Sequence, residues 1–241
     1  MVIAIKIRSA PYSMQLLVSP CSVEEARSSL AADIIDIKNP LEGSLGANFP
    51  WVIRAVRQMT RKPLSAAIGD VPFRPGNTAL AALGAASAGA DYIKVGLMFN
   101  GREDALTLIK SMVRAVKETF PEKFIVIAGY ADNARLGTIS PLLLPQMVAD
   151  SGGDVAMIDT GIKDGKSLFS FMDEEALREF VAKSRTLGIK TALAGSLRFS
   201  DLETLRRINP DVIGVRGMVC GGDRNTTIRE DLVEKALRSI R

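Results

Sequence analysis

The chain contains no histidine. Proton transfer and nucleophilic chemistry near neutral pH must then fall to lysines, carboxylates, tyrosines or cysteines, and a lysine can also form an imine with a carbonyl substrate. Asp36-Ile37-Lys38-Asn39-Pro40 has the residue types for that work. It closes a short apolar run, Ile34-Ile35, and opens into the glycine-bearing loop Glu42-Gly43-Ser44-Leu45-Gly46. Side chains two apart on a strand share a face, so Asp36 and Lys38 point the same way at a strand's carboxyl end. Lys94 ends a second apolar stretch within Asp91 to Gly96, and Asp159 with Lys163 follows a third, Val155 to Ile158. A free lysine titrates near about 10.4 and is a poor nucleophile at neutral pH. Burial and a neighbouring cation lower that value and expose the amine lone pair. Lys38 reads as the imine former, with Lys94 or Lys163 as the neighbouring cation. Asp36 would position Lys38 or shuttle protons, and Asp159 would do the same for the second lysine. A single lysine at a strand end is commonly only solvated. Several of them, with acids alongside at separate strand ends, call for a functional reading.

The elements that would position these residues alternate regularly. Candidate strands are Gln15–Ser19, Asp33–Lys38, Leu64–Ile68, Tyr92–Gly96, Phe124–Ala128, Val155–Asp159, Lys190–Ala194 and Val212–Val215. Most are continuously apolar, as strands buried on both faces are. Candidate helices between them are Val23–Ala31, Pro50–Thr60, Thr78–Ala88, Arg102–Thr119, Pro141–Asp150, Asp173–Leu187, Ser200–Ile208 and Arg229–Ile240. Ser22, Asn77, Ser140, Asp173 and Ser200 are candidate amino-terminal caps, and Gly89, Gly152 and Gly188 mark ends. Eight strand–helix units imply an α/β fold, a single (β/α)8 TIM barrel over 14–241 preceded by an N-terminal extension, 1–13. The rival, an open doubly wound sheet with a dinucleotide site, would carry GxGxxG after its first strand, and none is there.

Barrel enzymes place their sites at the carboxyl ends of the strands, so Asp36, Lys38, Lys94, Asp159 and Lys163 are expected to converge on one mouth. Gly195-Ser196 follows the seventh strand, and Arg216-Gly217-Met218-Val219-Cys220-Gly221-Gly222 follows the eighth. Loops in those places commonly hold a phosphate on backbone N–H groups. Gly195, Ser196, Gly217, Gly221 and Gly222 are therefore candidate phosphate-binding residues, the plainer alternative being that the glycines only make tight turns. Three further segments read as structural first. They are the loop 41–48, a mobile cover over the mouth; the loop 69–76, whose Arg74 could reach a second anion; and Tyr130, which could donate a proton.

Composition excludes several classes. At 47% hydrophobic and 24% charged, 241 residues suit an ordinary globular protein that buries its core without staples. The net charge of +4 is spread along the chain and aromatics are only 5%, which argues against nucleic acid as a partner and suits an anionic small molecule. Cys21 and Cys220 form no framework or CxxC motif, so a reduced, cytoplasmic setting is expected. Without histidine the usual zinc and iron sites are not expected, and no metal or cofactor is called for. Neither a signal peptide nor a membrane-spanning stretch is apparent. The ring of exposed helices in such a barrel is compatible with a homo-oligomer.

Three segments, DIIDIKNPLEGSLGANFPWVI (Asp33 to Ile53), DYIKVGL (Asp91 to Leu97) and MIDTGIKDGKSLFSF (Met157 to Phe171), resemble the (5-formylfuran-3-yl)methyl phosphate synthase family of methanofuran biosynthesis. The resemblance runs from about Leu16 to the carboxyl end. It implies a barrel enzyme, a carbon–oxygen lyase acting on phosphates, that condenses two molecules of glyceraldehyde 3-phosphate through a lysine Schiff base. The product is 4-(hydroxymethyl)-2-furancarboxaldehyde phosphate, with phosphate and water released. The family's imine-forming lysine falls on Lys38 and its general-base lysine on Lys94. Its supporting residues fall on Asp36, Asp159 and Lys163. The departures are the segment before Met14 and Ala31-Ala32, where glycines are expected. A class I aldolase acting on another phosphorylated sugar, and a non-catalytic barrel that binds phosphometabolites, are the alternatives.

Overall fold

Short apolar runs separated by amphipathic stretches fold here into strands that alternate with helices, two of which fall between the fifth and sixth strands. The computed structural model describes residues 14–241, so the N-terminal extension expected over 1–13 lies outside the described residues. The strands are β1 (Gln15–Val18), β2 (Ile34–Ile37), β3 (Leu64–Val71), β4 (Tyr92–Leu97), β5 (Phe124–Tyr130), β6 (Val155–Asp159), β7 (Lys190–Leu193) and β8 (Val212–Val215). Each pairs in parallel with the next, and β8 pairs with β1 to close a (β/α)8 barrel. The helices are α1 (Val23–Ser28), α2 (Pro50–Met59), α3 (Pro75–Ser87), α4 (Arg102–Lys117), α5 (Asn133–Leu136), α6 (Leu144–Ser151), α7 (Glu174–Thr186), α8 (Leu202–Ile208) and α9 (Glu230–Ile240).

Alternation along each strand separates two cores. Residues facing outward, such as Ile35, Ile37, Ile93 and Val95, pack against the helices. Residues facing inward, among them Leu17, Ile34, Ala67, Val126, Met157 and Ala192, fill the barrel. Asp36 and Lys94 share the inward phase. The strand register sets Asp36 beside Ser65 and Ala67 beside Lys94. Charged groups thus occupy a layer that apolar side chains usually fill.

Several boundaries differ from the sequence expectation. Ser22 and Asp173 cap as expected, accepting from the N–H groups of Glu25 at 3.2 Å and Ala176 at 2.8 Å. Asn77 does not cap, because α3 starts earlier, at Pro75, whose fixed φ suits a first helical turn. Ser140 makes no side-chain cap bond and precedes a 3₁₀ turn, Pro141–Leu143. Ser200 lies inside another such turn, Phe199–Asp201. The first helix stops at Ser28 rather than Ala31. β3 and β5 run past Ile68 and Ala128, carrying Asp70 and Tyr130 into the barrel top. The loop 41–48, read as a mobile cover, is instead tied down. Leu45 is fully buried in the inner core, Ser44 Oγ donates to the Thr160 carbonyl at 2.9 Å, and Asn39 N–H donates to the Gly46 carbonyl at 2.8 Å. Among the described residues no helix is long and apolar enough to cross a membrane.

Candidate active site

The five ionisable residues singled out by the sequence meet inside and just above the barrel, but not all at the rim. Lys38 follows the last residue of β2, Asp159 is the last residue of β6, and Lys163 lies in the loop beyond it. Lys94, expected to end its strand, is the third residue of β4, which continues through Val95 and Gly96 to Leu97. It therefore sits at depth, only 1% exposed, beside a fully buried Asp36.

The lysines and acids pair across strands. Lys94 Nζ donates to Asp36 Oδ2 at 2.6 Å, and Lys163 Nζ donates to Asp159 Oδ1 at 2.6 Å. Both carboxylates gain further donors. Asp36 accepts from Ser19 Oγ at 2.8 Å and Ser65 Oγ at 2.6 Å, and Asp159 accepts from the Thr160 N–H at 2.7 Å. Burial alone would raise the Asp36 carboxyl, but the charges of Lys94 and Lys38 and the hydrogen bonds from Lys94 and Ser65 hold it below the usual carboxylate range. Asp159 is held down in the same way, against burial, by Lys163, Lys38 and the Thr160 N–H.

This pairing leaves Lys38 without a partner. Its ammonium is buried, at 6% exposure, and among the described residues it has no hydrogen-bond acceptor. Burial lowers its pKa most. Asp159 and Asp36 act to raise it, Lys94 and Lys163 act to lower it, and it comes to about 7. Both lysines that the sequence offered as the neighbouring cation thus contribute. An amine in that state is half unprotonated near neutrality and free to attack a carbonyl.

Lys38, Lys94, Asp159 and Lys163 line a cavity of about 950 Å³ together with Gly195, Ser196, Gly217, Gly221 and Gly222. The N–H groups of Gly221 and Gly222 both turn back onto the Gly217 carbonyl. Those two glycines shape the turn, Gly221 in the left-handed conformation at φ 74° that favours glycine. The N–H groups of Gly195, Ser196 and Gly217 have no acceptor among the described residues. Arg216, in the same loop, is fully engaged. It donates to Glu25 at 2.7 Å and 3.1 Å and to the Ser19 carbonyl at 2.9 Å.

Ser19 and Ser65 were missed by sequence reasoning. Ser65 is a polar residue at an inward position of an apolar strand, opposite Asp36 in register, and Ser19 directly follows the last residue of β1. Tyr130 is buried and donates to Asp70, which also accepts the Leu45 N–H at 2.9 Å. Burial first, then Asp70, pushes the Tyr130 hydroxyl well above its ordinary value, so Tyr130 anchors the loop rather than supplying protons. Arg74 is exposed and lies outside the cavity.

Fold and cavity define a (β/α)8 barrel with one lysine–carboxylate pair inside the barrel, another at its carboxyl-end mouth, and glycine-rich loops after the last two strands. Among solved structures of this fold, a 3-hexulose-6-phosphate synthase superposes with a TM-score of 0.67 at 18% identity, covering 95% of this chain and 100% of that one. Sequence comparison is more specific. The 4-HFC-P synthase family profile matches residues 16–237. A (5-formylfuran-3-yl)methyl phosphate synthase of Methanosarcina mazei is 58% identical over 227 residues, covering 92% of this chain and 97% of the relative. One from Methanocaldococcus jannaschii is 53% identical over 229 residues, with the same coverage. The chain belongs to the (5-formylfuran-3-yl)methyl phosphate synthase family.

Proposed function

We propose that the protein is a lysine-dependent synthase that condenses two glyceraldehyde 3-phosphate molecules to 4-(hydroxymethyl)-2-furancarboxaldehyde phosphate, in methanofuran biosynthesis. The single observation that carries this reading is Lys38. It is a buried, unpartnered amine with a pKa of about 7, between two lysine–carboxylate pairs, in the lining of a cavity of about 950 Å³.

Lys38 attacks the aldehyde carbon of one triose phosphate, and loss of water with uptake of one proton leaves an iminium. The iminium withdraws electrons from the adjacent carbon and acidifies its hydrogen. Lys94 takes that proton after giving up its own, and Asp36, Ser19 and Ser65 hold it in place. The resulting enamine attacks the second aldehyde. Elimination of phosphate, ring closure and dehydration then lead to the aromatic furan, and hydrolysis of the imine returns Lys38. The Asp159–Lys163 pair lies on the opposite wall, placed to move protons to departing oxygens. One substrate phosphate is received on the free N–H groups of Gly195, Ser196 and Gly217, with Gly221 and Gly222 shaping the turn beside them.

The test is incubation with glyceraldehyde 3-phosphate, following ultraviolet absorbance of a conjugated furan aldehyde together with free phosphate. Borohydride added during turnover should fix mass on the peptide carrying Lys38. Carbon–carbon bond formation without phosphate release would identify a class I aldolase instead. Binding without any trapped adduct would leave a phosphometabolite-binding barrel. An adduct only on Lys94 or Lys163 would reverse the assignment of the nucleophile.

A further inference from the structure

Two triose phosphates bring two phosphate groups into one cavity, and the free backbone N–H groups beside Gly195 and Gly217 answer for one. The cavity's other cations are nearly all occupied. Lys94 and Lys163 are paired with Asp36 and Asp159, and Arg216 is held by Glu25. Arg229 pairs with Asp231 at 2.7 Å, Arg198 donates to the Gly165 carbonyl at 3.0 Å, and Lys235 stands 4.7 Å over the Phe199 ring. Lys38 must stay neutral to react. Arg224 alone remains. Its guanidinium has no acceptor, carboxylate or ring among the described residues.

The placement of Arg224 is built rather than incidental. It lies in the loop after β8, two residues beyond Gly222, and a Cβ added at Gly217 would stand 3.8 Å from the Arg224 Cβ. Its backbone carbonyl accepts from Arg216 Nε at 2.9 Å, so the buried Arg216–Glu25 pair fixes the loop from below. The side chain is half-buried, and the carboxylates that attract it are Asp159, at the end of β6, and Asp70, near the end of β3. The guanidinium therefore belongs to the field of the lysine–carboxylate centre, while its backbone belongs to the glycine loop.

We propose that Arg224 is a substrate-binding residue whose guanidinium holds the second phosphate group, giving the cavity an anion subsite separate from the backbone N–H groups of Gly195, Ser196 and Gly217. A guanidinium suits the role. It keeps its charge throughout the reaction and offers two parallel N–H donors to a phosphate. It also cannot compete with Lys38 for the carbonyl. This assignment rests on the triose-phosphate reading above.

The experiment compares the parent with R224Q and R224K. The number of inorganic phosphate ions bound is counted by equilibrium dialysis. The apparent KM for glyceraldehyde 3-phosphate is then measured, and so is borohydride trapping of unphosphorylated glyceraldehyde. The parent should bind two phosphates and R224Q one. R224Q should raise the apparent KM on the order of 10- to 100-fold, the worth of a charged hydrogen-bonded contact. R224K, with charge but no fork, should fall between them. Trapping of glyceraldehyde at Lys38 should not change, since that substrate has no phosphate to hold. Equal phosphate counts and equal KM in parent and R224Q would overturn the assignment. So would a loss of glyceraldehyde trapping as large as the loss of turnover, which would place Arg224 in the lysine centre instead. If the parent forms no furan yet loses one of two phosphates in R224Q, the function reading fails and the subsite stands.

Discussion

The most exacting consequence of the site is thermodynamic, and Lys38→Met exposes it. In the unfolded chain Lys38 takes up its proton at its ordinary value, 10.5, and in the folded chain at about 7. Between those pH values the unfolded chain binds one more proton than the folded chain does. Folding stability must then rise with pH, by about 1.4 kcal/mol for each pH unit. Below pH 7 both states are protonated and the full cost of burying the ammonium is present. From pH 7, where the folded group is half-protonated, to pH 9 the parent should recover roughly 2 kcal/mol from this group alone. Methionine at position 38 fills similar space and titrates nowhere, and the other groups titrate in both proteins. The stability difference between Lys38→Met and the parent should therefore be greatest at pH 6 and shrink by that amount between pH 7 and pH 9. Chemical denaturation followed by circular dichroism at closely spaced pH values measures it. The rate of borohydride trapping in the parent should rise with pH through a midpoint near 7, because only the neutral amine attacks. A difference that stays constant from pH 6 to pH 9 would refute the reasoning, since Lys38 would then hold its proton equally in both states.

Lys94→Ala leaves Asp36 buried without its ammonium and should cost about 3–5 kcal/mol of stability, with part restored by adding Asp36→Asn, as denaturant titration will show. The same Lys94→Ala variant should still form the trapped adduct at Lys38 but lose exchange of the substrate's α-hydrogen with deuterated solvent. Normal exchange would move the base role to Asp36, Asp159 or Lys163. Gly217→Val meets only ordinary contacts at 3.8 Å and more, so it should keep the thermal midpoint while weakening phosphate binding; unchanged phosphate affinity would place that anion elsewhere. Gly96→Ala would drive a Cβ into the Tyr130 hydroxyl and Asp70 and should destabilise by about 1–3 kcal/mol, partly relieved in the double variant with Tyr130→Phe.

The barrel was legible because its strands are continuous apolar runs at regular spacing, a local signal. Lys38, Asp159 and Lys163 could be assigned to the mouth from strand ends alone, whereas Asp36 lies deeper, fully buried. Lys94 reads as a strand-end residue although the candidate strand itself continues through Val95 to Gly96, with the glycine as its terminator. In the fold that glycine lets Tyr130 approach β4, and the strand goes on. The partners were not legible at all. Asp36 and Lys38 are neighbours in sequence, yet Asp36 pairs with Lys94, 58 residues away. Which acid meets which lysine depends on strand order and shear, and no local pattern encodes those. The two occupied glycine N–H groups were hidden for a similar reason. Composition marks a glycine loop, but only the closed turn decides which amides are left over.

Charge balance explains why one lysine of the three is set apart. Asp36 and Asp159 are neutralised by Lys94 and Lys163, each at 2.6 Å. With Lys38 uncharged the buried centre is electrically balanced. A proton on Lys38 would add an uncompensated cation, and desolvation would weigh on it in full. On the proposed mechanism that balance is broken at a defined moment. The protonated imine places a positive charge at position 38. That charge repels the ammonium of Lys94, which already acts on Lys38 in the free protein. Departure of the Lys94 proton relieves the repulsion and restores neutrality, and it leaves a free amine beside the carbon that has just become acidic. The base is thus made by the step that needs it. Deprotonation before the imine forms has no such drive, so solvent exchange at the α-carbon should depend on an intact Lys38. A Lys38→Met protein that still exchanges that hydrogen would break the link between the two lysines.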